Sequence, residues 1–270
     1  MVFRYLARPA GSSTRAFDAD TLSWQSAVVA NGGSVSLARL VIVDQFIFDE
    51  KASGAWALTD DYWGLWAENA TQALTSLKQR RLATVTAAPT FTADRGYAFN
   101  GSSQYLRLGF IPSTHGINFT GTSQRLAVYE RTNVSSSGFA IGSYVSSTRN
   151  NILNPRTGAN AYFADLNSQD TTSGTSTDSR GLTSAYRTTG PTWGIRKNGI
   201  AANTFSPASN GTTASNLELY LGCYNSGGSP LGYRASSIGF AVIGGPLSDA
   251  QELAQYNAMQ AWATTVGANV

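Results

Sequence analysis

Apolar residues in the first ninety positions recur at the three- and four-residue spacing of amphipathic helices. One such stretch runs from Ser34 to Lys51. Two glycines precede it, and Ser34 can cap its first turn. Its predicted buried face consists of Leu37, Leu40, Val41, Asp44 and Phe48. A second helix is predicted over residues 69–79, with Ala70, Ala73, Leu74 and Leu77 on one face. We therefore expect a helical segment over residues 34–90, preceded by an extended arm over residues 1–33.

The pattern changes near residue 90, where short runs of β-branched and aromatic residues alternate with Gly, Ser and Asn. Asn100-Gly101, Asn198-Gly199 and Asn210-Gly211 are turn signals, because both residue types tolerate the positive φ angles of two-residue hairpins. The predicted strands are residues 104–108, 125–131, 138–143, 161–166, 192–196, 217–223 and 237–244. Short strands at this spacing predict a mainly β fold, with a jelly-roll β-sandwich over residues 91–270.

A short helix is predicted at the C-terminal end of the sandwich domain. Ser248 and Gln251 form a capping box at its start, in which each side chain binds the backbone of the other residue. Gly267 ends the helix. Leu253, Tyr256, Gln260 and Ala263 are predicted to share its buried face.

Four aromatic residues lie close together in the helical segment: Trp56, Tyr62, Trp63 and Trp66. One interpretation is a hydrophobic clasp that joins the helices to the sandwich. The other is a shelf on which sugars stack, because indole rings serve both purposes.

Charged residues make up 13% of the 270 positions, about half the usual share. The net charge is +3, and residues 95–248 hold 11 cations against 5 anions. A mildly basic region suits acidic glycans or nucleic acid. The densest cationic run, Lys78-Gln79-Arg80-Arg81, is too short to predict nucleic-acid binding.

Single copies of Cys and His exclude a disulfide framework within the chain and His-rich or multi-cysteine metal centres. We expect Cys223 to pack as a small hydrophobic residue. The sequence contains no run of 18 apolar residues, so we expect no membrane insertion. Residues 1–5 lack the apolar stretch of a secretory signal.

Four segments resemble concanavalin A-like domains of the laminin-G type. Residues 96–108 are similar to the opening hairpin of that fold, and residues 195–199 to a strand that ends in an Asn-Gly turn. Residues 219–222 are similar to the penultimate strand, and residues 238–251 to the closing strand and its capped helix. The resemblance implies a β-sandwich of the jelly-roll type.

The N-terminal third resembles a helical segment of bacteriophage and prophage proteins that leads into a laminin-G-like domain. The matching residues are 54–58, 61–63, 66–69 and 89–97. This resemblance implies a virion location, as a head decoration or spike protein or a tail component. It also implies self-association and contacts with other virion proteins, with host surface polysaccharide as a candidate ligand.

Glycosidases of this fold superfamily carry a Glu-x-Asp-x-x-Glu strand motif, which is absent here. We therefore expect the protein not to be an enzyme, although pairing across strands could still bring Glu130 near Glu218. The lone His115 follows a proline in a predicted loop, where a surface or hydrogen-bonded role is expected. The alternatives are a tail-associated polysaccharide-degrading enzyme and a stand-alone carbohydrate-binding module.

A glycan site requires an aromatic plane beside amide and hydroxyl groups. The candidate glycan-binding residues are Trp193, Tyr224, Asn225, Tyr233 and Arg234. The alternative interpretation places Trp193 in the core and the tyrosines in ordinary loops. Laminin-G-like domains often bind calcium, and Asp165, Asp170 and Asp178 have suitable oxygen ligands. The solubility of a polar loop explains these acids equally well, and no other cofactor is expected.

Overall fold

The computed structural model describes residues 15–168, 172–189, 193–205 and 211–270. Within them, two large β-sheets pack face to face, and helices cover the outer face of one sheet. The predicted fold class, a mainly β sandwich with a few helices, is confirmed.

The described residues form helices before, between and after the strands of the sandwich. In chain order they are α1 (Ala19–Ala30), α2 (Leu37–Ser53), α3 (Ala55–Leu58), α4 (Ala70–Leu74), α5 (Pro112–His115) and α6 (Asp249–Thr265). The strands are β1 (Thr59–Gly64), β2 (Thr84–Thr86), β3 (Thr90–Thr92), β4 (Gly96–Ala98), β5 (Tyr105–Arg107), β6 (Gln124–Glu130), β7 (Ile141–Ser146), β8 (Arg149–Asn154), β9 (Ala161–Leu166), β10 (Thr172–Thr175), β11 (Gly181–Arg187), β12 (Trp193–Lys197), β13 (Ile200–Phe205), β14 (Tyr220–Leu221), β15 (Tyr224–Ser226), β16 (Ser229–Leu231) and β17 (Ser237–Gly244).

The first sheet runs in the order β13-β12-β11-β6-β17-β4-β3, and β1 pairs with β17 beside β4. The second sheet runs β10-β9-β8-β7-β14-β5-β2, and the β15–β16 hairpin is attached to it through β7. The predicted Asn198-Gly199 turn joins β12 to β13, with φ angles of 52° and 78°. That part of the sequence prediction is confirmed.

Both faces of the first sheet are buried, and its strands alternate between two cores. On β6, Leu126 and Val128 point into the core between the sheets, whereas Ala127 and Tyr129 face the helices. The second core is formed with α1, α2 and α6. A strand that is buried on both faces shows no polar alternation along its sequence.

Helix α2 lies where the sequence predicts it, but its buried face is different. Ser36, rather than Ser34, caps it by accepting a hydrogen bond from the Arg39 amide. The residues buried along it are Arg39, Leu40, Val43, Asp44, Phe46, Ile47 and Glu50. Phe48 is 44% exposed, so the predicted face was partly wrong. The spacing of several apolar residues allowed more than one face, and tertiary packing selected this one.

The predicted extended arm is partly helical, because α1 occupies residues 19–30 of it. Trp24 and Val28 are buried against the same chain, and the Trp24 indole donates to the Thr75 carbonyl at 3.1 Å. Residues 1–14 of the predicted arm lie outside the described residues. The second predicted helix is also shorter than expected, because α4 ends at Leu74.

The structure places a strand of the sandwich inside the predicted helical segment. Strand β1 pairs with β17, and all four clustered aromatics of this region are buried. Trp63 packs in the core between the sheets, and Trp56, Tyr62 and Trp66 pack in the core under the helices. These rings form the hydrophobic clasp that joins the helices to the sandwich. None of the four presents an open ring face on which a sugar could stack.

Helix α6 begins with the predicted capping box of Ser248 and Gln251, which is confirmed. Its buried face differs from the prediction, since Leu253 is 42% exposed. The residues buried along α6 are Glu252, Gln255, Ala258, Met259, Trp262 and Ala263. Among the described residues, none of the helices is both long and apolar enough to span a bilayer.

Candidate functional site

The outer face of the second sheet carries partly exposed aromatic rings. On β5, Leu106 points into the core, and the residues on either side of it, Tyr105 and Arg107, point outward. The same alternation on β14 places Tyr220 outward between two core leucines. This face therefore combines ring edges with polar groups, and it is the candidate site.

We call this surface the aromatic face. It consists of Tyr105, Phe139, Tyr144, Phe163, Tyr220, Tyr224 and Tyr233. In its first group, the ring centres of Tyr105 and Tyr220 are 4.9 Å apart, and those of Tyr105 and Tyr233 are 6.2 Å apart. Cys223 is buried beneath this group as a small hydrophobic residue, as the sequence predicts.

The second group of rings is built around Tyr224. Its ring centre is 5.1 Å from that of Phe139 and 6.3 Å from that of Tyr144, and Phe139 contacts Phe163 at 5.6 Å. All three contacts are edge-to-face, the arrangement that aromatic quadrupoles favour. Tyr144, Phe163 and Tyr224 are each half-buried, so part of each ring faces solvent.

An ion pair borders the first group of rings. Arg107 lies directly opposite Tyr220 in the antiparallel register and donates from Nε and Nη2 to Glu218 Oε2 at 2.9 and 2.8 Å. Glu218 Oε1 accepts the Gly109 amide at 2.6 Å. The guanidinium is 51% exposed, so it retains donors that can reach a ligand on the face.

Three tyrosines of this face keep their hydroxyl protons at neutral pH. Burial raises the pKa of Tyr220, Tyr224 and Tyr233 above the ordinary value of a phenol. Each hydroxyl can therefore donate one hydrogen bond and accept others. Hydroxyls of this kind, beside apolar ring faces, match the mixed surface of a sugar.

Two of the five predicted glycan-binding residues, Tyr224 and Tyr233, lie on the aromatic face. Asn225 lies beneath it and is 3% exposed, because its amide donates to the Glu218 carbonyl and accepts from Gly228. Trp193 is fully buried in the core between the sheets, so it cannot present a plane to a ligand.

Arg234 was also predicted to bind glycan, but the structure does not place it on the aromatic face. Its guanidinium is fully buried and donates to both oxygens of Glu130, at 2.5 and 2.9 Å. It also donates to the Asn154 side chain and the Val134 carbonyl. The residue therefore holds loops together and has no open side for a glycan.

The sequence prediction did not include Tyr105, Arg107, Tyr220, Phe139 or Phe163. A signal for the first three was present, because each flanks core leucines at alternate positions of a short strand. Phe139 precedes β7 in a loop and carries no such signal. Its place follows from contacts with β9 and β15, which are distant in sequence.

Two of the three calcium candidates, Asp165 and Asp178, lie within the described residues. Asp165 is 3% exposed and lies near the Asn150 amide. Asp178 is bound by the Arg180 guanidinium at 2.7 Å, and Asp170 lies outside the described residues. In the part of the chain that the structure describes, no group of three His, Cys, Asp or Glu side chains is arranged to hold a metal ion.

Glu130 ends β6 of the first sheet, Glu218 precedes β14 of the second, and each binds its own arginine. His115 ends α5, where its Nδ1 accepts the Ile111 amide at 2.9 Å. Burial lowers the pKa of this imidazole. The histidine thus has a local structural role, as expected.

No known protein-family model matches the chain, and no curated protein matches it. Several solved structures are similar to the chain. A mutant of Trypanosoma rangeli sialidase with trans-sialidase activity is similar at 12% identity and a TM-score of 0.52, over 84% of this chain and 40% of the sialidase. The receptor binding domain of botulinum neurotoxin C/D mosaic serotype is similar at 10% identity and a TM-score of 0.53, over 74% of this chain and 51% of that one.

Domain 4 of a GH43 extracellular arabinanase from Geobacillus stearothermophilus, in complex with arabinotriose, is similar at 11% identity over 74% of this chain and 98% of that one. Its TM-score of 0.46 is below 0.5, so this similarity supports no conclusion about the chain. The chain spans less than half the length of the sialidase it resembles, and at these identities the likeness is one of fold.

These comparisons correct the expectation that the protein is not an enzyme. That expectation rested on the missing Glu-x-Asp-x-x-Glu motif. A sialidase contains a segment with the fold of this chain, so this fold occurs within glycosidases. Absence of the motif is therefore no ground for excluding enzymatic activity. What the comparisons support is the β-sandwich fold itself, which a sialidase and a toxin receptor binding domain also contain.

Proposed function

We propose that this chain is a glycan-binding component of a bacteriophage particle, and that the aromatic face holds the glycan. The observation that carries the glycan part is the placement of the half-buried Tyr224 and Tyr233 on the outer face of the second sheet, which also carries the Arg107–Glu218 pair. The outer face of the first sheet is covered by helices, whereas these rings keep part of their surface open.

The chemistry of this face suits a neutral or weakly acidic polysaccharide. Sugars present apolar C–H faces that stack on rings and hydroxyls that need donors and acceptors. Tyr224 and Tyr233 supply both, and Arg107 adds a charged donor. Few charges need to be stripped of water when a glycan binds such a surface, which keeps the cost of binding small.

Two further points support the proposal. Two solved structures that share this fold at a TM-score above 0.5 are a sialidase and a toxin receptor binding domain. The phage location rests on the resemblance of segments within residues 54–97 to phage and prophage proteins in which such a segment leads into a laminin-G-like domain. In such a particle, the helical side would face neighbouring subunits and the aromatic face would face outward.

The binding test is a titration of purified bacterial capsule or lipopolysaccharide against the wild type, Tyr224→Ala and Tyr233→Ala. We expect each substitution to weaken binding about tenfold, because it removes a stacking surface. Tyr256→Ala is the matched control, since that half-buried tyrosine lies on α6 on the other side of the sandwich. Unchanged affinity in both face variants would contradict this location of the site.

The virion location has its own test. Antibodies against the purified chain should label phage particles released from a host that carries the gene, as seen by electron microscopy. Labelling should survive salt washes that remove adsorbed host protein. Particles without label, from lysates in which the chain is abundant, would contradict a virion role.

Cleavage of the bound glycan is a second candidate function, favoured by the sialidase whose fold this chain shares. Reducing-end release is measured in the same samples, with Glu218→Gln as the variant, because Glu218 is the carboxylate beside the aromatic face. Release that this variant loses would assign cleavage to the face. Binding without release would leave a lectin-like role.

A further inference from the structure

A second concave site lies at one end of the sandwich, where the edges of the two sheets meet. We call it the rim cleft, and its volume is about 340 Å³. Six of the residues that line it are Tyr162, Thr177, Asp178, Arg180, Lys197 and Asn198. Tyr162 comes from β9 of the second sheet, and Lys197 ends β12 of the first. The cleft is large enough for one sugar ring.

Thr175 and Val270 also line the rim cleft, and the two side-chain acids near Lys197 are each bound by an arginine. Asp178 is fully engaged by Arg180, which donates from Nε and Nη2 to the carboxylate at 2.7–3.1 Å. Glu130, the other acid near Lys197, is bound by Arg234. Among the described residues, no carboxylate forms an ion pair with Lys197. In the described part of the chain, Lys197 therefore has no ion pair of its own, and the attraction from Glu130 and Asp178 acts at longer range.

The hydrogen bonds of Lys197 lead to the same conclusion. Its Nζ donates to the Ser179 carbonyl at 3.0 Å and to the Thr183 hydroxyl at 3.1 Å, both of them neutral acceptors. An ammonium group has three donors, so in the described part of the chain one remains for a ligand. Burial lowers the pKa of this amine to about 8. A negatively charged ligand would stabilise the buried cation.

The geometry points to the rim cleft as a binding site for the carboxylate of an acidic sugar, with Lys197 as its cationic partner. Threonine hydroxyls and the Asn198 amide line the same cleft, and these groups suit the hydroxyls of the same sugar. This inference builds on the proposed glycan-binding function and adds a substrate class, namely glycans that carry uronic or nonulosonic acids. The site is distinct from the aromatic face.

The test compares two ring-matched probes, glucuronate and glucose, in calorimetric titrations at pH 7, with N-acetylneuraminate as a second acidic probe. We expect an acidic probe to bind and glucose to bind at least about tenfold more weakly. Lys197→Met should lose that difference, and Lys197→Arg should keep part of it. Lys51→Met is the matched control, because Lys51 lies on α2 and is already paired with Asp18.

A second measurement does not depend on affinity. An amine whose pKa is about 8 is acylated at pH 7.5 faster than ordinary lysines, so mass spectrometry should find early acylation at Lys197. Glucuronate should slow acylation at Lys197 and not at Lys51. Equal binding of glucose and the acidic probes, absence of acidic-probe binding by the wild type, or unchanged binding by Lys197→Met would overturn the inference.

The two sites can fail separately. Loss of polysaccharide binding in the tyrosine variants, with glucuronate binding intact, supports both assignments. If no polysaccharide binds the aromatic face but glucuronate still requires Lys197, the rim cleft stands and the proposed function of the aromatic face fails. If polysaccharide binding depends on the tyrosines and no acidic probe binds, the inference about the cleft fails alone.

Discussion

Arg234 and Glu130 form a bidentate ion pair in which both side chains are fully buried. Glu130 ends β6 of the first sheet, and Arg234 lies in the loop before β17. The same guanidinium donates to the Gly138 and Val134 carbonyls and to Asn154 of the second sheet. The pair therefore connects both sheets and the loops at one end of the sandwich.

Removal of one partner of this pair should destabilise the protein strongly. Glu130→Gln leaves a buried guanidinium without its counter-charge, and we expect a loss of about 3–5 kcal/mol in the free energy of unfolding. Arg234→Met should cost a similar amount. The double variant should cost less than the sum of the two. Denaturant unfolding of the four proteins measures this coupling, and strict additivity would show that the pair contributes none.

The clasp aromatics give a second stability prediction. Trp63 is fully buried between the sheets, so Trp63→Ala should cost about 3–5 kcal/mol. Leu253→Ala on α6 serves as the control, because Leu253 is 42% exposed and should cost far less. Urea unfolding followed by fluorescence measures both. A cost below about 1 kcal/mol for Trp63→Ala would contradict the burial of this ring.

Features that depend on local chemistry were predictable from the sequence. The capping box of Ser248, the Asn198-Gly199 turn and the strand over residues 237–244 each follow from neighbouring residues, and all three are present. The buried faces of α2 and α6 were not predictable. Their apolar residues fit more than one face, and which face is covered depends on a sheet formed by distant strands.

The aromatic face was predictable only in part, because some of its contacts depend on residues that are distant in sequence. Tyr224 and Tyr233 were predicted as candidate glycan-binding residues, and they lie on the aromatic face. Arg234 was expected beside them, yet its partner Glu130 is more than one hundred positions away and no local pattern reveals it. Strand β1 was missed because it pairs only with β17 and both its faces are buried, so its sequence does not alternate.

The free energy of unfolding should depend on pH through Glu50. Burial between helices α2 and α6 and the first sheet raises the pKa of Glu50 from 4.5 to about 7, although Tyr62 and Gln255 donate to its carboxylate. A carboxyl whose pKa is raised by folding stabilises the protein fully below its unfolded pKa. That contribution is lost as the pH rises through the folded pKa.

The stability of the wild type should therefore fall between about pH 4.5 and pH 7. Glu50→Gln removes this titration, and above pH 7 it should be more stable than the wild type by up to roughly 3 kcal/mol. Burial also raises the pKa of Asp61 to about 6, so a smaller decline of the same sign should remain in the variant. Urea unfolding from pH 5 to pH 9 checks this, and parallel curves for the two proteins would contradict it.

The packing of the aromatic face depends on Gly232, which has a φ angle of 61°. A Cβ at this position would lie 2.7 Å from Tyr224 Cε1 and 2.8 Å from Phe139 Cδ2. Gly228 has a φ angle of 99°, but a Cβ there would meet no atom within 4 Å. Both alanine variants should lose about 1–3 kcal/mol from backbone strain. Only Gly232→Ala should also displace the two rings and weaken polysaccharide binding. Calorimetry and near-ultraviolet circular dichroism of both variants separate backbone strain from displacement of the rings. Equal losses of binding in the two variants would show that contact with the rings does not determine affinity.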